Sequence, residues 1–487
     1  MSLKTTELDA LFSLPSEAPS SRSPARLPGV TRASSDALVK ALKDDHVKWH
    51  AFFNDRGFHN HTSHHIVAIY AMGAGGPLIE EAYQSHVVSM QPAFKSPEPI
   101  TDDSFWKHLG KREFYDSYLE YFRTVLLKKG AADVLEEYIF SPKANVGGPG
   151  IDAHPRMLNR LLAVLLHPMI HAGNGLEFGL LGLVAEGLAQ AAVHRDDGPT
   201  LIPPELFQTD TIVNGTNKIG VHAFTILARV LADQRFSPAS LGLSAATVGP
   251  STFERIAAQI GSAVVQLTNE WAAEFEGDGA TEDAIAKKIE ELSWMAALVY
   301  GVGGWAARER APAKKFNADF FYMHLVTSSI FLPAFAAYLS LRSTVLLLRG
   351  YFAVSLVYYI ARGCAPLPIH AFYESVSASI IPPGTSTVAP VAGTLTLDDA
   401  APNPWLPIVQ TTLVHPDEHL CKMQRALMHD ATLYGQRAAG DFAGLGLEGA
   451  EALDGTLFVR VAGLTADRLG WMKEGQGAGD WDRQGFY

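Results

Sequence analysis

Cysteine is nearly absent from this chain: Cys364 and Cys421 are the only two in 487 residues. Two thiols cannot form the disulfide framework of a small secreted protein, and the N-terminus lacks the basic and apolar regions of a secretion signal. A reducing, cytoplasmic location is therefore expected. Charge is scarce too, at 18% of residues, and basic charge is the scarcer kind: 39 Lys and Arg stand against 51 Asp and Glu, for a net charge of -12. A surface that neutralises phosphates needs clustered cations, so nucleic acid is excluded as a partner. Low charge beside 47% hydrophobic residues also excludes a disordered scaffold.

Nucleotide and serine-hydrolase signatures are missing: there is no Walker A run and no G-x-S-x-G elbow. Gly444, Gly446 and Gly449 have the G-x-G-x-x-G spacing, but no buried strand precedes them, so no dinucleotide site is read there and a need for NADPH is left open. Strand-like alternation is sparse and no internal repeat occurs. One uncharged stretch, 320–341, is long enough to span a bilayer. Its His324, Thr327, Ser328, Ser329 and Pro333 fit a buried helix better than lipid, and no membrane contact is expected.

Helical periodicity dominates what remains. Apolar residues recur at three and four residue spacings over 35–52, 63–72, 103–128, 157–193, 219–233, 251–275, 281–300, 320–341, 345–362 and 415–434. This predicts an all-α protein: an extended Ser/Pro-rich arm over 1–35, then one large helical bundle over 36–487. The Pro/Gly-rich runs 142–155 and 381–407 are expected to be loops, and 456–461 a late extended segment.

Histidine is the abundant exception, with 18 in the chain, grouped in four clusters. In GFHNHTSHHIVAIYAMGA, Asn60, Thr62 or Ser63 can cap a helix, and His61 and His65 stand four apart on one face; each singly also suits a cap or core position. In LHPMIHAGNGLEFG, His167 and His171 have the i, i+4 spacing at which two imidazoles approach one metal ion, with Glu177 on a similar face. Pro168, Gly173 and Gly175 are expected to kink that helix. In DFFYMHLVTSSIFLP, His324 lies in the uncharged stretch with Thr327 three residues on. In HPDEHLCKMQRAL, His419 and Lys422 share a face. This last segment also has the H-x-x-E-H spacing of an inverted zinc peptidase, with His415 and His419 as ligands and Glu418 as base, although Pro416 argues against a continuous helix there.

Together the four segments resemble the fungal questin oxidase-like family, enzymes of aromatic polyketide pathways assigned to oxidative opening of anthraquinone-type rings. The resemblance implies an oxygenase, of Baeyer-Villiger or ring-cleaving dioxygenase type, with mononuclear non-haem Fe(II) held mainly by histidines. It carries over His324 with Thr327 and His419 with Lys422, the lysine as a carbamate. His65 and one or both of His167 and His171 complete the expected ligand set, an inference from their places in the clusters that leaves the choice among His61, His64, His65, His167 and His171 open. Iron accepts imidazole and oxygen ligands and leaves a position for O2, whereas so many ligands exceed what structural zinc takes. Thr327 and Glu177 are the expected catalytic groups, Thr327 as a hydrogen-bond donor to bound oxygen and Glu177 as a proton carrier. Phe320, Phe321 and Tyr322 are expected to line a pocket for a small aromatic substrate. A zinc hydrolase built on the H-x-x-E-H segment and a non-catalytic helical binding protein are the alternatives.

Overall fold

The computed structural model describes residues 4–54, 56–147, 154–208, 220–249, 251–276, 279–310, 315–384, 391–395 and 401–487. Among these, backbone pairing outside helices is limited to three isolated bridges, and the protein is all-α. The helices that matter here are α1 (Thr5–Leu11), α2 (Arg32–Lys48), α3 (Thr62–Ala71), α4 (Gly76–Val87), α5 (Tyr115–Lys129), α6 (Ala163–Phe178), α7 (Leu181–Val193), α8 (Ala223–Ala232), α9 (Thr252–Trp271), α10 (Glu282–Ala306), α11 (Phe320–Ser329), α12 (Leu332–Tyr338), α13 (Leu341–Ala361), α14 (Trp405–Leu413), α15 (Glu418–Tyr434) and α16 (Leu457–Leu469).

Each helix bearing a histidine cluster starts or bends at a residue whose chemistry explains it. Asn60 Oδ1 accepts from the Thr62 N–H at 2.9 Å, so α3 begins beside His61, which occupies the N-cap with non-helical backbone. Asp319 Oδ1 accepts from Phe321 and Tyr322 N–H at 3.0 Å and starts α11. Asp417 Oδ1 does the same for His419 and Leu420 at 2.9 Å and starts α15. Side-chain oxygens at these caps satisfy amides that the first helical turn leaves unpaired. α3 packs on α15, and α11 packs on both α6 and α15, so the four clusters meet.

α6 carries the main distortion. Val164, Leu165 and Leu166 have left-handed φ of 49°, 58° and 64°. That conformation costs roughly 1–2 kcal/mol per non-glycine residue and persists only where neighbours impose it. Asp197 Oδ2 accepts from Val164 N–H at 3.0 Å, and the Tyr358 hydroxyl from Leu165 N–H at 2.9 Å. The bend thus precedes Pro168, and the expectation that Gly173 and Gly175 also kink this helix is not met: no other residue in it is non-helical. Those glycines serve close packing instead. A Cβ on Gly175 would lie 2.6 Å from Val184 N, and one on Gly187 2.5 Å from Ala172 N, so α6 and α7 touch backbone to backbone.

Several boundaries differ from the sequence expectation. The 320–341 run is two helices, because Pro333 is tolerated in the first turn of α12 but not in the interior of a continuous helix. Both this stretch and α13 are long and apolar enough to cross a bilayer, yet 78% and 94% of their windows are buried inside the fold. The segment 456–461 is helical, not extended: it opens α16, whose Leu457, Phe458, Val461 and Ala462 face the core. Trp405 begins α14, so the 381–407 loop ends earlier than its composition suggests. Residues 148–153, 385–390 and 396–400 of the two expected loops lie outside the described residues. The 1–35 segment contains α1 and lies on the body, with Leu11 and Phe12 buried and Leu27 N–H donating to Ala71 O at 2.8 Å.

Candidate metal centre

The centre is built from hydrogen bonds that orient imidazoles. Pro168 has no N–H, so the Val164 carbonyl four residues back receives no helical hydrogen bond from it. His167 Nδ1 fills that place, 2.6 Å from Val164 O. A carbonyl only accepts, so Nδ1 holds the proton and Nε2 the lone pair. His324 repeats the arrangement on Phe320 O at 2.7 Å. For His61 and His419 the acceptor is a carboxylate: His61 Nδ1 donates to Glu418 Oε1 at 3.2 Å, and His419 Nδ1 lies 3.4 Å from the same oxygen. Outward partners of this kind fix the tautomer of metal-binding histidines.

The inward atoms are left over. Nε2 of His61, His167, His324 and His419, Nδ1 of His64 and Nζ of Lys422 are all buried with no hydrogen-bond partner among the described residues. Ligand atoms of His61, His167 and His419 lie within 4.8 Å of one another. The His324 ring is 4.9 Å from that of His167 and 5.4 Å from that of His419, centroid to centroid. One unpaired buried polar group costs roughly 1–3 kcal/mol, so six together are a large unmet demand unless one cation satisfies them.

Electrostatics keep the donors free. Burial, with the Lys422 charge among the further causes, drives His61, His64, His324 and His419 well below the ordinary imidazole range and His167 to about 3. Burial also lowers Lys422 against the pull of Glu418. For Glu418 burial opposes ionisation, but His419, its own backbone amide and Lys422 outweigh it and hold the carboxyl at about 2. The result is a set of neutral imidazole donors backed by one ionised carboxylate.

Of the residues singled out from sequence, His167, His324, His419 and Lys422 come together here. His61 joins them, whereas His65 does not: its Nδ1 pairs with His86 Nε2 at 2.9 Å on the α4 side. The i, i+4 pairing of His61 with His65 assumed a helix that in fact begins only at Thr62. His171 also stands apart, its Nδ1 3.0 Å from His64 Nε2 and its Nε2 2.5 Å from Glu186 Oε2. Glu177 forms a buried ion pair with Arg425 through Oε1, and its Oε2 is buried with no hydrogen-bond partner among the described residues. Thr327 is buried, and among the described residues its hydroxyl meets only the Met323 sulfur, at 3.4 Å. Glu186 and Glu418 are carboxylates whose orienting roles the cluster spacing gave no means to see; each lies far in sequence from a histidine it orients.

His415 is excluded as a ligand. Its Nδ1 accepts from the Asp417 N–H at 3.1 Å and its Nε2 donates to Leu469 O at 3.1 Å, and it precedes the first turn of α15. The H-x-x-E-H geometry is therefore not formed. Of the three expected pocket aromatics only Phe320 reaches the centre, its ring 4.7 Å from His324 and 5.0 Å from His419. Tyr322 turns away to stack on Phe486 and donate to Tyr359 O, and Phe321 lies under Arg362. Over Phe320 runs the C-terminal segment. Arg483 sits 4.5 Å above its ring, Asp482 O accepts from Phe320 N–H at 2.8 Å, and Trp481 Nε1 donates to Asp417.

An all-helical body whose helix starts deliver a buried group of oriented imidazoles defines a class, the helical proteins with a polyhistidine centre. Within it, this chain belongs to the Questin oxidase-like family, whose match covers residues 58–427 and so takes in all the oriented histidines. Similar proteins include a Baeyer-Villiger monooxygenase, AacuH, of Aspergillus aculeatus, 27% identical over 64% of this chain and 64% of its own length. The oxidoreductase AflY of Aspergillus parasiticus is 26% identical over 82% of this chain and 73% of its own. A questin oxidase of Aspergillus terreus is 24% identical over 82% of both. The chain spans about 64% of the length of the first of these relatives.

Proposed function

We propose that this protein is an iron-dependent oxygenase that inserts oxygen into, or cleaves, a carbon–carbon bond of an aromatic polyketide such as an anthraquinone. The observation that carries the reading is the convergence of four oriented imidazole lone pairs and the unpartnered Lys422 amine in one buried place. His61, His167, His324 and His419 would hold the metal. Lys422, whose pKa burial lowers, would in its neutral form add CO2 and present a carbamate oxygen, the anionic ligand that neutral imidazoles lack. Iron bound there would supply O2 activation beside the substrate.

The remaining work falls to the chain. Glu418 and the carbonyls of Val164 and Phe320 keep the protons on the outer ring nitrogens. Phe320 offers an aromatic edge and face next to His324 and His419 against which a planar ring can stack. Arg483, exposed above Phe320, attracts an ionised phenol to that mouth. Thr327, bonded to a weak sulfur acceptor, has a hydroxyl to give to a better one. The names of the relatives, questin oxidase and Baeyer-Villiger monooxygenase, support an oxidoreductase of this kind.

The test is elemental analysis of purified protein, followed by incubation of Fe(II)-loaded protein with a panel of anthraquinones and their hydroquinones under 18O2. Label in a ring-expanded lactone or a ring-opened acid is expected. Equal product without O2 would refute the oxygenase. Consumption of one NADPH per turnover would mark oxygen insertion fed by an external reductant, and its absence a dioxygenation.

A further inference from the structure

A hydrogen-bonded chain runs up to the centre and ends on His64, a fifth imidazole beside the four that would hold the metal. Glu186, on α7, is buried, and its two oxygens take different partners: Oε1 meets His46 Nδ1 and Oε2 lies 2.5 Å from His171 Nε2. His171 Nδ1 is 3.0 Å from His64 Nε2. The His64 ring is 5.3 Å from that of His61, and its Nδ1 is buried with no partner among the described residues. The far end of the chain rests on His46, whose Nε2 is 3.4 Å from Arg123 Nη1, and on a polar cavity of about 10 Å3 bordered by Asp45, Asn60 and Glu186, room for about one water.

The direction of every hydrogen bond in this chain follows from Glu186. An ionised carboxylate has no proton to give, so His171 carries its proton on Nε2. With one proton on the ring, at Nε2, the Nδ1 of His171 accepts, which obliges His64 to donate from Nε2. His64 Nδ1 is left with a lone pair, as Nε2 is in His61 and His167. The reverse order would turn an N–H, which cannot bind a metal, toward the nitrogens that the outward bonds have set as lone-pair donors. The close backbone contact of Gly187 with Ala172, next in sequence to Glu186 and His171, is what brings the carboxylate within reach.

We propose that Glu186 is a positioning residue of the centre: acting through His171, it holds His64 in the tautomer that turns an Nδ1 lone pair, and not an N–H, to the metal. The inference rests on the iron reading for its consequence, though not for the order of protons. Glu186→Gln has the same shape but can accept from only one histidine and must donate to the other. His46 is pinned by Arg123, so the amide turns to His171 and reverses the order through to His64. His46→Gln removes the other hydrogen bond of the same carboxylate and leaves Glu186 free to accept from His171.

Two-bond 1H–15N spectra of 15N-histidine-labelled apoprotein report each tautomer directly. Nε2–H on both His171 and His64 is expected in the unmodified protein and in His46→Gln, with Nδ1–H on both in Glu186→Gln. Fe(II) affinity by titration should fall about 10- to 100-fold in Glu186→Gln and stay within twofold in His46→Gln. A doubly protonated His171 in the unmodified protein, or unchanged iron affinity in a folded Glu186→Gln, overturns the proposal. If Glu186→Gln does not fold, the spectra of the unmodified protein decide alone. Protein that shows the expected tautomers yet takes up no iron would refute the iron reading and leave the proton order standing.

Discussion

Glu177 and Lys422 are both buried and ionisable, but their settings ask opposite things of them. Glu177 faces Arg425, whose guanidinium also lies 5.5 Å from the Phe178 ring centre, so its charge is spent on a cation. Removing one member of such a pair strands the other, at about 3–5 kcal/mol. Glu177→Gln is expected to lower the urea midpoint accordingly while leaving iron content unchanged; lost iron with unchanged stability would return Glu177 to the centre. Lys422 has no hydrogen-bond partner to lose among the described residues. Lys422→Ala should be nearly neutral for folding, yield iron-poor protein, and regain iron when acetate or propionate fills the space. Unchanged iron in that variant would remove Lys422 from the ligand set.

α6 shows how an element can be strained to serve a residue. Its left-handed start puts the Val164 carbonyl where His167 can use it, and Tyr358 on α13 helps to hold that turn. Tyr358→Phe leaves the Leu165 amide without its acceptor, a cost of about 1–3 kcal/mol, and should loosen His167 as well. A melting temperature reduced together with iron retention is the expected result, and unaltered retention would separate the turn from the centre. This element also marks the limit of what the sequence discloses. The apolar spacing of 157–193 and the His-Pro step were legible, and His167, His324, His419 and Lys422 could be named from local pattern. The bend at 164–166 was not, because it is imposed by Asp197 and Tyr358, which no local window contains. Nor was the departure of His65 and His171, since equal spacing on a helix says which residues share a face but not which acceptor each will find. Val459 and Val461 misled in the usual way: β-branched residues read as strand, while packing of α16 on α15 decides for helix.

For the whole molecule, two sets of buried groups pull stability in opposite directions with pH. Burial holds His65, His167, His194 and His222 each at about 3 and the centre's other imidazoles lower still than usual. Below pH 6.5 the unfolded chain binds protons that these rings refuse, so each contributes a loss of about 1.4 kcal/mol per pH unit on acidification. Burial raises Asp45 and Asp430 to about 8 and Asp197 to about 7. These bind protons in the folded state that the unfolded state has released, so they destabilise as pH rises from about 4 through those values. Histidines outnumber the acids below pH 6.5 and fall silent above it. Urea midpoints of the apoprotein should therefore peak near pH 6.5, with the steeper decline on the acid side; a flat profile from pH 5 to 8 would contradict this balance.

Cys421 sits one residue before Lys422, fully buried, with its thiol directed to the Glu418 carbonyl at 3.4 Å. Burial pushes that thiol up to about 12, so essentially none of it is thiolate at neutral pH. Peroxide attacks thiolates and spares thiols. With the oxygen chemistry proposed above, the sulfur next in sequence to Lys422 is thereby kept from becoming its first casualty, and intact-mass spectra taken after prolonged turnover should show Cys421 still reduced.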